Sequence, residues 1–366
     1  MKSVYIHIPF CKNICNYCDF CKMYYHEKIV DEYLEALEKE VRKTYQNEKI
    51  KTIYIGGGTP SCLSVKQLEK LFRITSLFDK EKDLEFTFEC NFDSIDQKKL
   101  EAIKKGGVNR LSFGIETFHE MYLKEIGRNL SYEEAKNKIQ EARKLGFTNI
   151  NVDLMYGFHN ESIKEVQEDL DKILSLDVNH ISTYSLMIEE HTKFYIEKYE
   201  NVEEDLDSDM YYFIISYLEK HGFKQYEISN FAKENRKSLH NLTYWNNERY
   251  YGFGLGSSGY VGKIRYTNTK SLNKYLNQEY KKEEELVEKD EDMIYEMILG
   301  LRKRKGVSKR RFQEKFGLTC TERFDIMKLV EDKNLIEEEE YIYIPLEKLY
   351  VSNSILIYFL EGVKDE

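Results

Sequence analysis

The chain has 366 residues, 41% of them hydrophobic, with a formal net charge of -10 and a sequence pI near 5.5. That length suits one large α/β unit plus a smaller domain, and the acidity argues against a general nucleic-acid binder. The longest late apolar run, Ile355 to Leu360, falls far short of the ~20 residues of a membrane span, so no transmembrane segment is expected, and peripheral membrane association stays open.

Met1 to Tyr5 reads as a strand rather than a signal peptide, because no apolar h-region or cleavage site follows. Seven cysteines without an export signal fit a reducing cytoplasm. Three of them, Cys11, Cys15 and Cys18, follow the first strand. Three thiolates so close lack the separated second pair of a zinc site. They suit a [4Fe–4S] cluster with three irons held by the protein and one left open. Phe10 and Phe20 are expected to shield this loop, and Cys21, Cys62, Cys90 and Cys320 read as ordinary thiols.

Strands are expected at Ser3 to Ile8, Thr52 to Ile55, Leu84 to Glu89, Arg110 to Phe113, Ile150 to Asp153 and His180 to Ser185. Helical patterns alternate with them at Lys28 to Tyr45, Val65 to Phe78, Asp96 to Lys105, Tyr132 to Leu145 and Ser162 to Leu174. Such alternation implies a parallel sheet with right-handed crossovers. Six units are too few for an eight-fold barrel, so the fold class is α/β, an open, partial (βα)6 barrel.

The chemistry-bearing residues fall at the carboxyl ends of these strands, the face where such sheets bind ligands. The cysteine loop follows strand one, Gly56-Gly57-Gly58-Thr59 ends strand two, Glu89 ends strand three, Glu116 follows strand four and Asp153 closes strand five. Arg128 is a further polar residue near that rim. Consecutive glycines let a ligand approach the main chain, and carboxylates can accept ribose hydroxyls. A structural ion pair is the bland reading of any one of these alone.

Beyond Ser185 the pattern loosens. Residues 226–282 are aromatic and glycine-rich and would complete the barrel core of residues 1–225. Within them, His240 stands among Tyr244, Trp245, Tyr250, Tyr251 and Phe253. That setting suits a flat macrocycle with an imidazole on its iron, although aromatic clusters mostly build cores. Residues 283–366 read as a helical, winged-helix-like domain. Its run from Arg302 to Arg311 has seven basic residues in ten, and a solvated helix face is the usual meaning of such a run.

These motifs resemble the radical SAM family of oxygen-independent coproporphyrinogen III dehydrogenases and their heme-chaperone relatives, the HemW type. The resemblance rests on Tyr5 to Cys11, Gly56 to Ser61, Gly107 to Ser112, Asp153 to Gly157, Tyr226 to Ala232, His240 to Trp245, Leu299 to Arg302 and Gly306 to Ser308. It implies Cys11, Cys15 and Cys18 as ligands of a [4Fe–4S] cluster. It also implies S-adenosylmethionine (SAM) contacts at Tyr5, Tyr17, Gly57, Gly58, Thr59, Glu89, Glu116, Arg128 and Asp153, with glutamine usual in the family where this chain has Glu116.

The dehydrogenases place a cysteine where this chain has Phe20, and they carry a long segment before the first strand. The His-Asn-x-x-Tyr-Trp motif is shared with the chaperones, which makes His240 a candidate heme ligand. The resemblance therefore implies a heme chaperone, with heme or porphyrin, heme-acceptor proteins and an electron donor such as flavodoxin or ferredoxin as partners. The alternatives are a dehydrogenase that decarboxylates propionates by radical chemistry, or a related radical SAM methyltransferase.

Overall fold

The computed structural model describes residues 2–361. Six strands run parallel in the expected order: β1 (Lys2–Ile8), β2 (Ile50–Gly57), β3 (Lys80–Cys90), β4 (Arg110–Glu116), β5 (Asn149–Tyr156) and β6 (His180–Ser185). Helices α1 (Glu27–Thr44), α2 (Val65–Thr75), α3 (Gln97–Lys105), α4 (Tyr132–Lys144) and α5 (Ile163–Ser175) cross between them.

Local chemistry sets the helix starts. Ser64 and Ser162 close capping boxes with Gln67 and Glu165, and the Asp96 and Ser131 side chains accept from the backbone N–H three residues on. In α1, Val30, Tyr33, Leu34, Leu37 and Val41 are all fully buried at helical spacing.

The sheet extends beyond six strands at both edges. Strands β7 (Lys224–Glu227) and β8 (Asn230–Ala232) add antiparallel beside β6. On the other side β9 (Tyr250–Phe253) pairs parallel with β1. It is followed by the antiparallel strands β10 (Ser258–Val261), β11 (Ile264–Asn268) and β12 (Lys281–Leu286). The result is one open twelve-stranded sheet. The expected division at 282/283 falls inside β12, because main-chain pairing with β11 carries the sheet on to Leu286.

Parallel sheets usually read as apolar on both faces. Here each strand alternates. Val4, Ile6, Ile8, Ile53, Ile55, Phe86, Phe88, Leu111, Phe113, Ile115, Ile150, Val152 and Ile181 are fully buried in the core. The opposite phase is polar: Thr52, Tyr54, Glu85, Thr87, Glu89, Arg110, Ser112, Glu116, Asn151, Asp153, His180 and Ser182. An inner face of this kind builds a ligand-binding interior rather than a second core layer.

The helix α6 (Leu239–Trp245) packs at the amino-terminal ends of the strands. Its Leu239 and His240 N–H groups donate to the Glu85 carboxylate at 3.0 and 2.9 Å, and Thr243 meets Ser3 at 2.8 Å.

The C-terminal unit combines the helix α7 (Lys289–Gly300), short further helices and a three-stranded sheet of Val307–Ser308, Tyr341–Tyr343 and Ile336–Glu337. Much of the basic run is engaged inside the molecule. Lys303 Nζ donates to Asn246 Oδ1 at 2.7 Å, Arg302 to Asn353 at 3.0 Å and Lys309 to Glu337 at 2.6 Å, while Arg311 bonds the Asn246 carbonyl. The run therefore ties the C-terminal unit to the segment just after α6. Among the described residues no helix is long and apolar enough to cross a membrane.

Candidate functional site

Inner-face residues of β2 to β6 and the cysteine loop together enclose a pocket of ≈ 430 Å³, within the range of small-molecule sites. Cys11, Cys15, Cys18, Tyr17, Gly57, Gly58, Thr59, Glu89, Glu116, Arg128 and Asp153 all line it. Tyr5 and His240 do not. The pocket also gathers residues that were not among the site candidates, among them Tyr54, Asn151, Ser182, Tyr184 and Met187, together with Arg110 and Ser112 of the Gly107 to Ser112 motif. Most lie on the polar phase of their strands, a pattern the sequence carries but short motifs do not express.

The cysteine loop is anchored by protein contacts alone. Phe10–Cys11 pairs with Met23–Tyr24, and Asn16 bonds the Ile126 and Glu125 carbonyls at 3.1 and 2.6 Å and accepts from Phe194 N–H. The three cysteines carry no disulfide. Burial pushes all three thiols up, Cys15 to about 11, so thiolates here call for a cationic partner. Among the described residues no three His, Cys, Asp or Glu side chains converge on one ion. Cluster ligation has no such requirement, since each thiolate binds its own iron. The donor set and its place at a pocket wall fit a [4Fe–4S] cluster. Phe10 is fully buried behind the loop, but Phe20 is 62% exposed and does not shield it.

The glycine run has a structural cause beyond ligand access. A Cβ on Gly56 would stand 2.7 Å from the Glu89 carboxyl, and one on Gly58 would stand 2.8 Å from Cys11 Sγ. The φ of +115° at Gly57 also disfavours any side chain. These glycines let β2 touch both Glu89 and the cluster loop.

Glu89 accepts from Tyr54 Oη at 2.6 Å and from Gly57 N–H at 3.0 Å. Glu116 ends β4 in the left-handed region, φ +67°, at a register shift, a strained conformation of the kind that gathers at functional sites. Its Oε1 accepts from Arg128 Nη1 at 2.5 Å. Arg128 Nη2 donates to Asn91 at 2.9 Å and to the Gly114 carbonyl at 3.1 Å. Asp153 is not the last residue of its strand. Pairing continues to Tyr156, and the Asp153 carboxylate accepts from Asn151 at 2.8 Å.

Burial pushes Glu89 up to about 7 against the pull of Tyr54 and Gly57. It also pushes Asp153 up to about 7, with repulsion from Glu116 and Glu89 adding to it. Both stand well above the ~4 of an unfolded carboxyl. The native state therefore holds more protons than the unfolded chain between about pH 4 and 7, and stability falls as pH rises through that window. The ligand-free protein should melt lower at about pH 8 than at about pH 5. Buried Glu161 and Glu227 share this slope, while buried His7, His180 and His240, whose native pKa values are lowered, oppose it below about pH 6.5, so the check specific to Glu89 is a shallower fall in Glu89→Gln than in wild type by calorimetry.

The remaining sequence candidates lie below the pocket. Tyr5 Oη bonds His7 Nδ1 at 2.9 Å. His240 is 1% exposed, with Nδ1 on Thr52 Oγ1 and Nε2 on Tyr244 Oη, both at 2.8 Å, and its ring stacks on Tyr54 at 5.1 Å. Burial, helped by Arg110 and Lys51, lowers its pKa to about 3. Both ring nitrogens are thus engaged, and in this structure the imidazole expected to face heme iron lies beneath the pocket with no free nitrogen.

Comparison with known proteins bears on this pocket. Residues 5–173 match the Radical SAM superfamily, and residues 287–346 match the HemN C-terminal domain. The chain is 42% identical to the heme chaperone HemW of Bacillus subtilis (strain 168), covering 98% of this chain and 99% of that one. It is 38% identical to the heme chaperone HemW of Lactococcus lactis subsp. lactis (strain IL1403), covering 98% and 97%. The coproporphyrinogen III oxidase HemN of Escherichia coli superposes with a TM-score of 0.87 at 20% identity, over 98% of this chain and 89% of that one. That likeness establishes the fold.

Proposed function

Since the chain belongs to the HemW family within the radical SAM superfamily, we propose that it binds heme and hands it to acceptor proteins. The observation that carries this reading is full-length identity to proteins named heme chaperones, 42% over 98% of the chain. Radical SAM membership implies a [4Fe–4S] cluster and SAM. Cys11, Cys15 and Cys18 would hold the cluster. The Gly57–Thr59 strand end, Tyr17, Glu89, Glu116, Arg128 and Asp153 would surround SAM, with Glu89 and Asp153 as acceptors for amine or hydroxyl groups. Tyr5 and His240 act one layer further out, through His7 and Tyr54.

Heme would meet the pocket mouth, where Phe20, Tyr184 and Met187 leave 62%, 43% and 61% of their surfaces exposed. A flat apolar macrocycle covers such a rim favourably. When bound, a reduced cluster supplies single electrons, so a small redox protein of the flavodoxin or ferredoxin kind is the matching donor. Seven free cysteines suit a reducing cytoplasm.

The test is anaerobic titration of the cluster-loaded protein with heme, followed by incubation with a heme-free acceptor. Parallel samples receive SAM, reductant and coproporphyrinogen III. One-to-one heme binding, transfer to the acceptor and no decarboxylation are expected. Decarboxylated porphyrin formed with turnover would replace this reading by the dehydrogenase one.

A further inference from the structure

Arg110 opens β4 on the polar inner face and lines the pocket. It is the largest fully buried side chain of the described residues, with 1% of its surface exposed. Its only hydrogen bond is a long one, Nη1 to Thr87 Oγ1 at 3.5 Å, and its Nε has no partner. Among the described residues it makes no ion pair. The other pocket arginine, Arg128, is fully engaged by Glu116, Asn91 and the Gly114 carbonyl. The field of Arg110 reaches Glu89, Tyr54, His180 and His240, yet none of these supplies an anionic partner at bonding distance.

A guanidinium buried without a counter-ion is costly. Its fork of donors matches a carboxylate. We propose that Arg110 is the receptor for a ligand carboxylate inside the barrel. The inference rests on reading this pocket as the SAM and heme site. Those ligands offer the carboxylate chemistry from two sources: the amino-acid carboxylate of SAM and the propionates of heme. With Arg128 held by Glu116, and Lys22 turned to the Cys18 and Phe20 carbonyls of the cysteine loop, Arg110 is the buried pocket cation left for that group.

The experiment compares wild type, Arg110→Met and Arg110→Lys, each loaded with its cluster under anaerobic conditions. Affinities are measured for SAM against decarboxylated SAM, and for heme against heme dimethyl ester. Wild type should prefer the free carboxylate in one of these pairs by at least about tenfold, the scale of a charge-assisted hydrogen bond. Arg110→Met should lose that preference while still binding the neutral analogue as wild type does, and Arg110→Lys should keep part of it. The pair that responds names the source of the carboxylate. Exchanging an unpaired buried charge for a methionine of similar reach should leave the melting temperature unchanged or raised, so loss of binding through misfolding is recognisable. No preference in wild type, or a preference that survives in Arg110→Met, overturns the proposal and leaves the functional reading intact. Failure of wild type to bind either SAM or heme overturns both.

Discussion

Cys15→Ala is expected to reduce bound iron and sulfide to background and to weaken SAM binding by at least about tenfold. Cys15 stands midway along a loop whose other two thiols, Cys11 and Cys18, line the same pocket. The loop is fixed by strand pairing at Phe10–Cys11 and by the Asn16 bonds to the Ile126 and Glu125 carbonyls. None of these contacts uses the Cys15 side chain. Its removal should leave the loop in place and take away one of three ligands, so the melting temperature of the cluster-free protein should hardly move.

The control is Cys62→Ala. Cys62 is buried and its thiol sits 3.4 Å from the Phe10 carbonyl, behind the loop. That variant should keep its full iron and sulfide, since its sulfur has no place among the three ligands. Full iron and sulfide in Cys15→Ala, measured beside an iron-free Cys11→Ala, would remove Cys15 from the ligand set.

The six parallel strands and their order were legible because each carries a buried apolar series and five of them are followed by an amphipathic helix, four with a capping side chain. His180–Ser185 matches its expected range at both ends. That Cys11, Cys15 and Cys18 share one pocket wall was legible from spacing alone, since three close cysteines are local in sequence. Depth within the strands was not. Whether Asp153 ends a strand depends on how far β6 keeps pairing with β5, a long-range fact.

Arg110 was legible in principle. It starts a period-two polar series, Arg110, Ser112, Gly114 and Glu116, beside the buried series Leu111, Phe113 and Ile115. Read across neighbouring strands, that alternation marks an inner polar face. The Gly107 to Ser112 motif contains Arg110 but does not by itself express that alternation. The place of His240 was hidden for a different reason. Its aromatic neighbours in sequence suit an open macrocycle site as well as a closed core, and only the docking of α6 onto Glu85, Thr52 and Ser3 decides between them.

That docking makes His240 the second variant with a large expected effect. His240→Ala removes a ring that stacks on Tyr54 and leaves the buried Thr52 hydroxyl and the Tyr244 hydroxyl without their shared partner. Each hydroxyl left unsatisfied costs about 1–3 kcal/mol, and the cavity adds to it, so a loss of about 3–5 kcal/mol in unfolding free energy is expected. The damage should reach the pocket through one step. Tyr54, no longer held by the imidazole, orients the carboxylate of Glu89 less well, and SAM affinity falls together with stability.

His240→Gln separates support from ligation. A glutamine amide can meet both hydroxyls, so most of the stability should return, and SAM affinity with it. Ferric heme bound to that variant should keep the absorbance and electron-spin signature of the wild-type complex, because Nε2 of the wild-type imidazole is committed to Tyr244. The opposite outcome is equally readable. If the glutamine variant keeps its melting temperature but loses an imidazole-type iron signature, then heme loading must break the Tyr244 bond and draw His240 out from beneath the strands. The helix that closes the floor of the barrel would then be a moving part, and its contact with Glu85 would be the first place to look for the motion.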